Sequence, residues 1–190
     1  QLPPLAVRAV TDLQAHIAVL DERISEYERE LARLTRQNPA AQRVQALAGV
    51  GPLTASALVA SVGTAHEFDN GRQFAAWLGL VPRQYSTGGK TRLGHITRRG
   101  DPYLRTLLIQ GAKAAVMSAD KRDDPISRWL VQLTARVGWQ KACVAMANKN
   151  ARILWAVMTR EEGFDPKHVS VKPKAKQSIR QPVGAAPSPI

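Results

Sequence analysis

Cysteine is nearly absent: Cys143 is the one example in 190 residues. A disulfide framework is excluded, and a Cys-based zinc site has no ligand set to draw on. The histidines His16, His66, His95 and His168 are scattered without metal-ligand spacing, so no metal site is expected in this chain. No apolar run approaches the roughly 18–20 residues needed to span a bilayer. Gln1-Leu2-Pro3-Pro4-Leu5 lacks the basic flank and apolar core of a signal peptide. The expectation is a reduced cytoplasmic protein with no membrane partner. An initiating methionine is also missing, which suggests a fragment or a processed product.

What the chain does have is an apolar share of 44%, enough for most of it to fold, and a net charge of +12. The length suits one domain of ordinary size plus an appendage. A basic excess of this size points to a polyanion, nucleic acid before membrane. Its distribution is uneven. Residues 1–75 hold seven basic and eight acidic side chains, whereas residues 76–122 hold nine and two. Residues 166–190 hold five basic residues and no acidic one, with five prolines and no periodic apolar face. That tail reads as disordered and adds only non-specific attraction for phosphate.

From Val10 the apolar residues fall at Val10, Leu13, Ile17, Leu20, Ile24, Tyr27, Leu31 and Leu34, alternating steps of three and four. This is an unbroken heptad. Val, Ile, Ile and Leu occupy a; Leu, Leu, Tyr and Leu occupy d. β-Branched a with Leu at d suits a parallel two-stranded coil, in which Arg23 faces Glu28 of a second copy and His16 faces Asp21. The other reading packs the stripe on the chain's own domain as an antiparallel hairpin. The strict repeat and the charged outer faces favour the intermolecular coil. Asn38-Pro39 ends the helix, because the residue before proline avoids the helical region.

Beyond it, Leu47-Ala-Gly49-Val-Gly51-Pro52-Leu-Thr54-Ala55 joins two short apolar helices, the second beginning at Pro52. The pattern resembles a helix-hairpin-helix, in which glycines let backbone approach a DNA phosphate and free helical N–H groups face the anion. A tight αα-corner with glycines at a helix end is the alternative. The basic segment that follows tilts the reading toward DNA contact.

That segment, from Leu80 to Pro102, reads as a loop of about twenty residues, rich in hydroxyls, glycines and guanidiniums; a short hairpin around Gly88-Gly89 is an alternative. Gly89-Lys90-Thr91 imitates the end of an ATP phosphate loop, but the required earlier glycine is Gln84. Asp120, Asp123 and Asp124 flank Lys121-Arg122 before Pro125, which suits a solvated turn with Asp124 as helix cap rather than a metal cluster. Ser86 or Thr87 then stands as a candidate nucleophile among Arg83, Lys90, Arg92, Arg98 and Arg99. A serine attacking phosphorus needs cations on the non-bridging oxygens. From spacing alone a loop that grips DNA backbone is favoured over a catalytic one.

Asp101-Pro102 opens the next helix, with Leu104, Leu107 and Leu108 on its apolar face and Arg105 extending the basic surface. Helices follow over about Pro125–Val137 and Lys141–Glu162, with Trp129, Trp139 and Trp155 expected in the core.

The stretches Leu47–Ala55, Phe74–Leu108 and Ala145–Arg152 closely resemble bacterial insertion-sequence transposases of the DEDD type, the one-ten/eleven-eleven family related to Piv-type invertases. The likeness covers roughly residues 10–165. It implies an N-terminal RuvC-like domain with four acidic metal ligands, then a coiled coil, then a helical domain whose serine attacks DNA and forms a phosphoserine. Some members are guided by a structured RNA. The serine motif falls on Pro82-Arg-Gln-Tyr-Ser86-Thr87-Gly88. Many relatives place serine directly before glycine, where this chain has Thr87; Ser86 is preferred as the less hindered attacker, with Thr87 as the alternative.

Residue pattern and resemblance together give the expectation of an all-α chain: coiled coil over 8–37, helical transposase domain over 39–165, disordered tail over 166–190. The expected DNA contacts, read from the glycine turn and the basic segment, are Gly49, Gly51, Thr54, Arg83, Lys90, Arg92, Arg98, Arg99 and Arg105. The implied partners are element-end and target DNA, a guide RNA and a second copy of the chain, at the bacterial nucleoid. No cofactor is expected in this chain. The RuvC-like region and its Mg ion are not in this sequence, which is expected to be a C-terminal portion that binds DNA and self-associates but does not transpose alone. The rival reading is a non-catalytic helix-hairpin-helix scaffold on DNA.

Overall fold

Proline and capping side chains punctuate the whole chain. The computed structural model describes residues 3–160 and 163–165; the tail over 166–190, with His168, lies outside them, as do Glu161 and Glu162. Seven helices and one small sheet are present among the described residues. The helices are α1 (Pro4–Gln37), α2 (Pro39–Gln45), α3 (Pro52–Val62), α4 (Gly71–Trp77), α5 (Pro102–Met117), α6 (Pro125–Val137) and α7 (Trp139–Arg160). Between α4 and α5 lie strands β1 (Pro82–Thr87) and β2 (Lys90–Ile96).

Five helices begin with proline in the first turn, where no N–H partner is needed. Asn38, Asn70, Asp101 and Asp124 each accept two backbone N–H bonds as N-caps, typically worth about 1 kcal/mol each. At Asp124 the hydroxyl of Ser127 donates to the carboxylate at 2.7 Å. That bond first, then the backbone amides of Ser127 and Ile126 and the nearby Arg122, hold its pKa below the ordinary aspartate value despite opposing desolvation.

The core is assembled on α7. Phe74, Leu78 and Leu80 at the end of α4, Leu104 and Leu108 of α5, Leu130 of α6 and Met146 and Leu154 of α7 are all fully buried together. Three α7 side chains tie distant loops to this core. Asn148 Nδ2 donates to the Leu80 carbonyl at 3.1 Å, Asn150 Nδ2 to that of Ala48 at 2.9 Å, and Trp155 Nε1 to that of Phe68 at 2.9 Å. Each bond satisfies a carbonyl in a turn that no helix or sheet partner serves. Trp129 is partly buried, with the Lys149 ammonium 4.8 Å from its ring centre. Trp139 departs from expectation: it is exposed at the start of α7, just after the Gly138 turn.

Helix α1, about 50 Å long at 1.5 Å per residue, meets the rest of the fold at its C-terminal end only. Its partners are α2 and α3, and Thr35 is its buried residue, donating to the Leu31 carbonyl and bonded to Ser56 Oγ at 3.0 Å. Val10, Leu13, Ile17, Leu20, Ile24 and Tyr27 are all exposed. Among the described residues nothing covers the heptad stripe from Val10 to Tyr27, so it is not half of an internal antiparallel hairpin, while Leu31 is half-buried near α3.

The long basic loop is a β-hairpin. Gly88 and Gly89, with φ of 58° and 76°, form a two-residue turn that pairs Thr87 with Lys90. Positive φ at both positions is what the favoured hairpin turn requires. The strands carry no apolar alternation because neither face is covered: every residue from Pro82 to His95 is exposed.

Candidate nucleic-acid interface

The hairpin stands on a main-chain buttress. Thr97 N–H donates to the Val81 carbonyl at 2.9 Å, and Arg98 N–H to that of Gly79 at 3.1 Å. Here the chain from Thr97 to Gly100 lies directly on the turn after α4. A Cβ on Gly79 would fall 2.2 Å from the Arg99 carbonyl oxygen, and one on Gly100 1.7 Å from that of Trp77. Both glycines also have positive φ, so no other residue fits without separating the two segments. Arg98 itself adopts φ of 55°, a conformation that costs a non-glycine residue roughly 1–2 kcal/mol. Asn148 anchors the same junction through Leu80.

Strand pairing sorts the hairpin's side chains onto two faces. The register sets Tyr85 opposite Arg92, Ser86 opposite Thr91, Thr87 opposite Lys90 and Gln84 opposite Leu93. Cross-strand partners share a face and neighbours alternate. Arg83, Tyr85, Thr87, Lys90 and Arg92 therefore line one face; Gln84, Ser86, Thr91 and Leu93 line the other. The pairing shifts between Pro82 and Gln84, which face Ile96 and Leu93, so β2 carries an extra residue around Gly94-His95.

Ser86 lies near the hairpin tip, and its Oγ accepts a hydrogen bond from Gln84 Nε2 at 2.7 Å. An amide can hold a hydroxyl in place but cannot take its proton. Thr87 is at the tip, on the face with the cations. Arg83, Lys90, Arg92, Arg98 and Arg99 are all exposed, and among the described residues none of them is ion-paired. The nearest acid in sequence, Asp101, spends its carboxylate on the amides of Tyr103 and Leu104. The positive field of the hairpin is thus left for an outside anion.

Other residues expected to contact DNA turn out to have work inside the fold. Arg105 is half-buried, and its Nη1 donates to the Leu78 carbonyl at 3.2 Å. Thr54 is buried. Gly49, with φ of 81°, packs backbone to backbone against α5: a Cβ there would lie 2.3 Å from the Gly111 carbonyl oxygen. Gly51 differs, since it caps α3 and has open space where a side chain would go. The α2–α3 turn and the hairpin base thus rest on one helix, with Gly111 about 9 Å along α5 from Arg105.

Among the described residues no group of three or more His, Cys, Asp or Glu side chains could hold a metal, and no helix is long and apolar enough to cross a membrane. Asn148 and Asn150, missed as functional positions by sequence reasoning, hold the hairpin base and the glycine turn. Their signal was two asparagines set among the alanines of a helix, in the stretch Ala145-Met-Ala-Asn148-Lys-Asn150-Ala151.

Residues 41–126 match the family model described as Transposase IS116/IS110/IS902 family. This span contains the α2–α3 turn, the hairpin and its buttress. A probable family 20 transposase of Pseudomonas aeruginosa is 49% identical over 165 residues, covering 87% of this chain and 49% of the relative. The transposase for insertion sequence element IS1111A of Coxiella burnetii is 46% identical, covering 86% of this chain and 45% of the relative. That of element IS1328 of Yersinia enterocolitica is 42% identical, with shares of 86% and 49%. The chain spans about half the length of these relatives. Through the segment that builds the hairpin and its supports, the chain matches the IS116/IS110/IS902 family of insertion-sequence transposases.

Proposed function

We propose that this chain is the DNA-gripping and strand-transfer portion of an insertion-sequence transposase, corresponding to the C-terminal part of its longer relatives. One observation carries the reading: a fully exposed β-hairpin, bonded at its base to the turn after α4, presents unpaired cations with Thr87 on one face and Ser86 at its tip on the other. A two-stranded ribbon of this kind fits the major groove of DNA, and arginines clasp phosphate oxygens bidentately. Gly51 and the open first turn of α3 add a second backbone contact.

Ser86 is the preferred nucleophile. Its Oγ attacks phosphorus, the Oγ–P bond forms, and the bond from phosphorus to one deoxyribose oxygen breaks. That oxygen leaves with a proton, and the strand stays attached as a phosphoserine. A deoxyribose hydroxyl of another end then attacks the phosphoserine, restoring a phosphodiester and freeing the serine. The cations hold the non-bridging oxygens as charge builds. Among the described residues no group of three or more His, Cys, Asp or Glu side chains offers a cradle for a divalent ion. The Mg ion and its RuvC-like carboxylates belong to the part of the relatives that the chain does not span, and the isolated chain binds DNA without transposing. The seam of α1 pairs with a second copy in a parallel coil. A structured guide RNA is a further ligand for the basic surface.

Covalent trapping tests the nucleophile. The longer protein, built on one of the relatives' length, is incubated with nicked suicide DNA and resolved under denaturing conditions. Loss of the adduct in Ser86→Ala supports this assignment, and loss in Thr87→Ala alone moves it by one residue. The face sorting favours one rival: the cations accompany Thr87, not Ser86, as suits a hairpin that only grips backbone. Absence of any adduct from the active longer protein establishes that non-catalytic scaffold. Recombination of element-end DNA by the 190-residue chain alone would refute the division of labour.

A further inference from the structure

Tyr85 is the one Phe, Tyr or Trp residue of the hairpin, and nothing in the core explains it. It is 60% exposed on a strand with no covered face. Its neighbours on that face are Arg83 and Thr87, each about 7 Å away along the strand, with Arg92 directly across. The ring crosses toward β2 at Gly94, where a Cβ would lie 3.3 Å from Tyr85 Cε2. A side chain at that position would crowd the ring. The glycine instead lets it settle against the strand, which restricts its rotamers. The aromatic contacts of the fold lie elsewhere, within Phe68, Phe74 and Trp77, and the lysine resting on a ring rests on Trp129. The Tyr85 ring is thus pre-positioned and uncovered, among cations suited to phosphate.

We infer that Tyr85 is a stacking platform for an unpaired nucleobase adjacent to the phosphate gripped by the hairpin. The inference rests on the DNA reading above and deepens it: the preferred ligand is DNA with a base out of the helical stack, not intact duplex. Every base has a π-face, so an exposed ring between phosphate-binding cations recognises an unstacked base without reading its identity. In a closed duplex the same base is held by its neighbours and pairing partner, and the ring gains no contact with it.

The test compares two DNAs of equal length at one salt concentration: a fully paired duplex, and a duplex with a two-nucleotide bulge carrying 2-aminopurine. The full chain is expected to bind the bulged DNA about tenfold tighter, on the scale of base–aromatic stacking, and to quench the 2-aminopurine fluorescence. Tyr85→Leu removes both the preference and the quench, so that the bulged and the paired DNA bind alike. Tyr85→Phe keeps both, which separates loss of the ring from loss of the hairpin. Equal binding of the two DNAs by the unaltered chain overturns this inference while leaving DNA binding intact. So does a Tyr85→Leu variant that weakens both equally. Failure to bind either DNA overturns the DNA reading itself, and this inference with it.

Discussion

Replacing Gly111 by alanine sets two rules of opposite sign against each other. Gly111 lies inside α5, where glycine-to-alanine normally stabilises by about 1 kcal/mol through helix propensity. In this fold the added methyl would sit 1.7 Å from the Gly49 carbonyl oxygen and 2.8 Å from its carbon. Both are main-chain atoms, so no side chain can rotate away, and relief requires α5 to separate from the 46–51 turn. That separation strains the Asn150–Ala48 bond and loosens the packing of Leu47 and Val50 in the core. Overpacking costs typically 1–3 kcal/mol, and a main-chain clash belongs at the upper end. Net of the propensity gain, Gly111→Ala should destabilise by about 2 kcal/mol, or roughly 4–8 °C in Tm for a chain of this size. Circular dichroism followed through thermal unfolding measures it, with the exposed Gln110→Ala as a near-neutral control on the same helix. A Gly111→Ala variant as stable as the parent, or more so, would refute the backbone contact and with it the account of the α2–α3 turn.

Three further outcomes follow from the same geometry. Asn150→Leu keeps the branched outline of the side chain with bulkier ends and leaves the Ala48 carbonyl unserved, and urea unfolding should show a loss of at least about 1–3 kcal/mol. Lys90→Ala and Arg92→Ala should each reduce the slope of log K against log[salt] for duplex binding by about 1, weakening all sequences alike; an unchanged slope would mean the hairpin does not touch phosphate. Asp124→Ala should cost about 1 kcal/mol at neutral pH through the lost cap. Because folding lowers the Asp124 pKa, its contribution is present above the unfolded value of 3.8 and fades as pH falls through the lower folded value. The stability gap between parent and variant should therefore close in acid, and a gap that persists there would show that the ionised carboxylate is not what stabilises the cap.

The helices were largely legible in the sequence, each for a local reason. Asp101-Pro102 and Asp124-Pro125 mark helix starts and Asn38-Pro39 a helix end within a few residues, and the heptad from Val10 to Leu34 is a period readable without any partner. The hairpin was harder to see because its strands have no buried face, so the alternation that usually betrays a strand is missing; only Gly88-Gly89 hinted at it. Trp139 was misplaced because a large apolar side chain usually means core, yet the Gly138 turn leaves it at the surface.

The sequence by itself determined where the basic charge lies, where the helices begin, and which segment resembles a transposase, since all three are properties of neighbouring residues. Tertiary structure alone decided the employment of individual side chains. Gly49 and Arg105 read equally well as DNA contacts until Gly111 and the Leu78 carbonyl were found against them. Asn148 and Asn150 gained their roles through bonds spanning 68 and 102 residues of chain. Ser86 and Thr87, adjacent in sequence, were parted onto opposite faces by the strand pleat, and the cations went with Thr87. Local pattern reports what a residue prefers; which of several satisfactions it finds depends on atoms brought beside it from far along the chain.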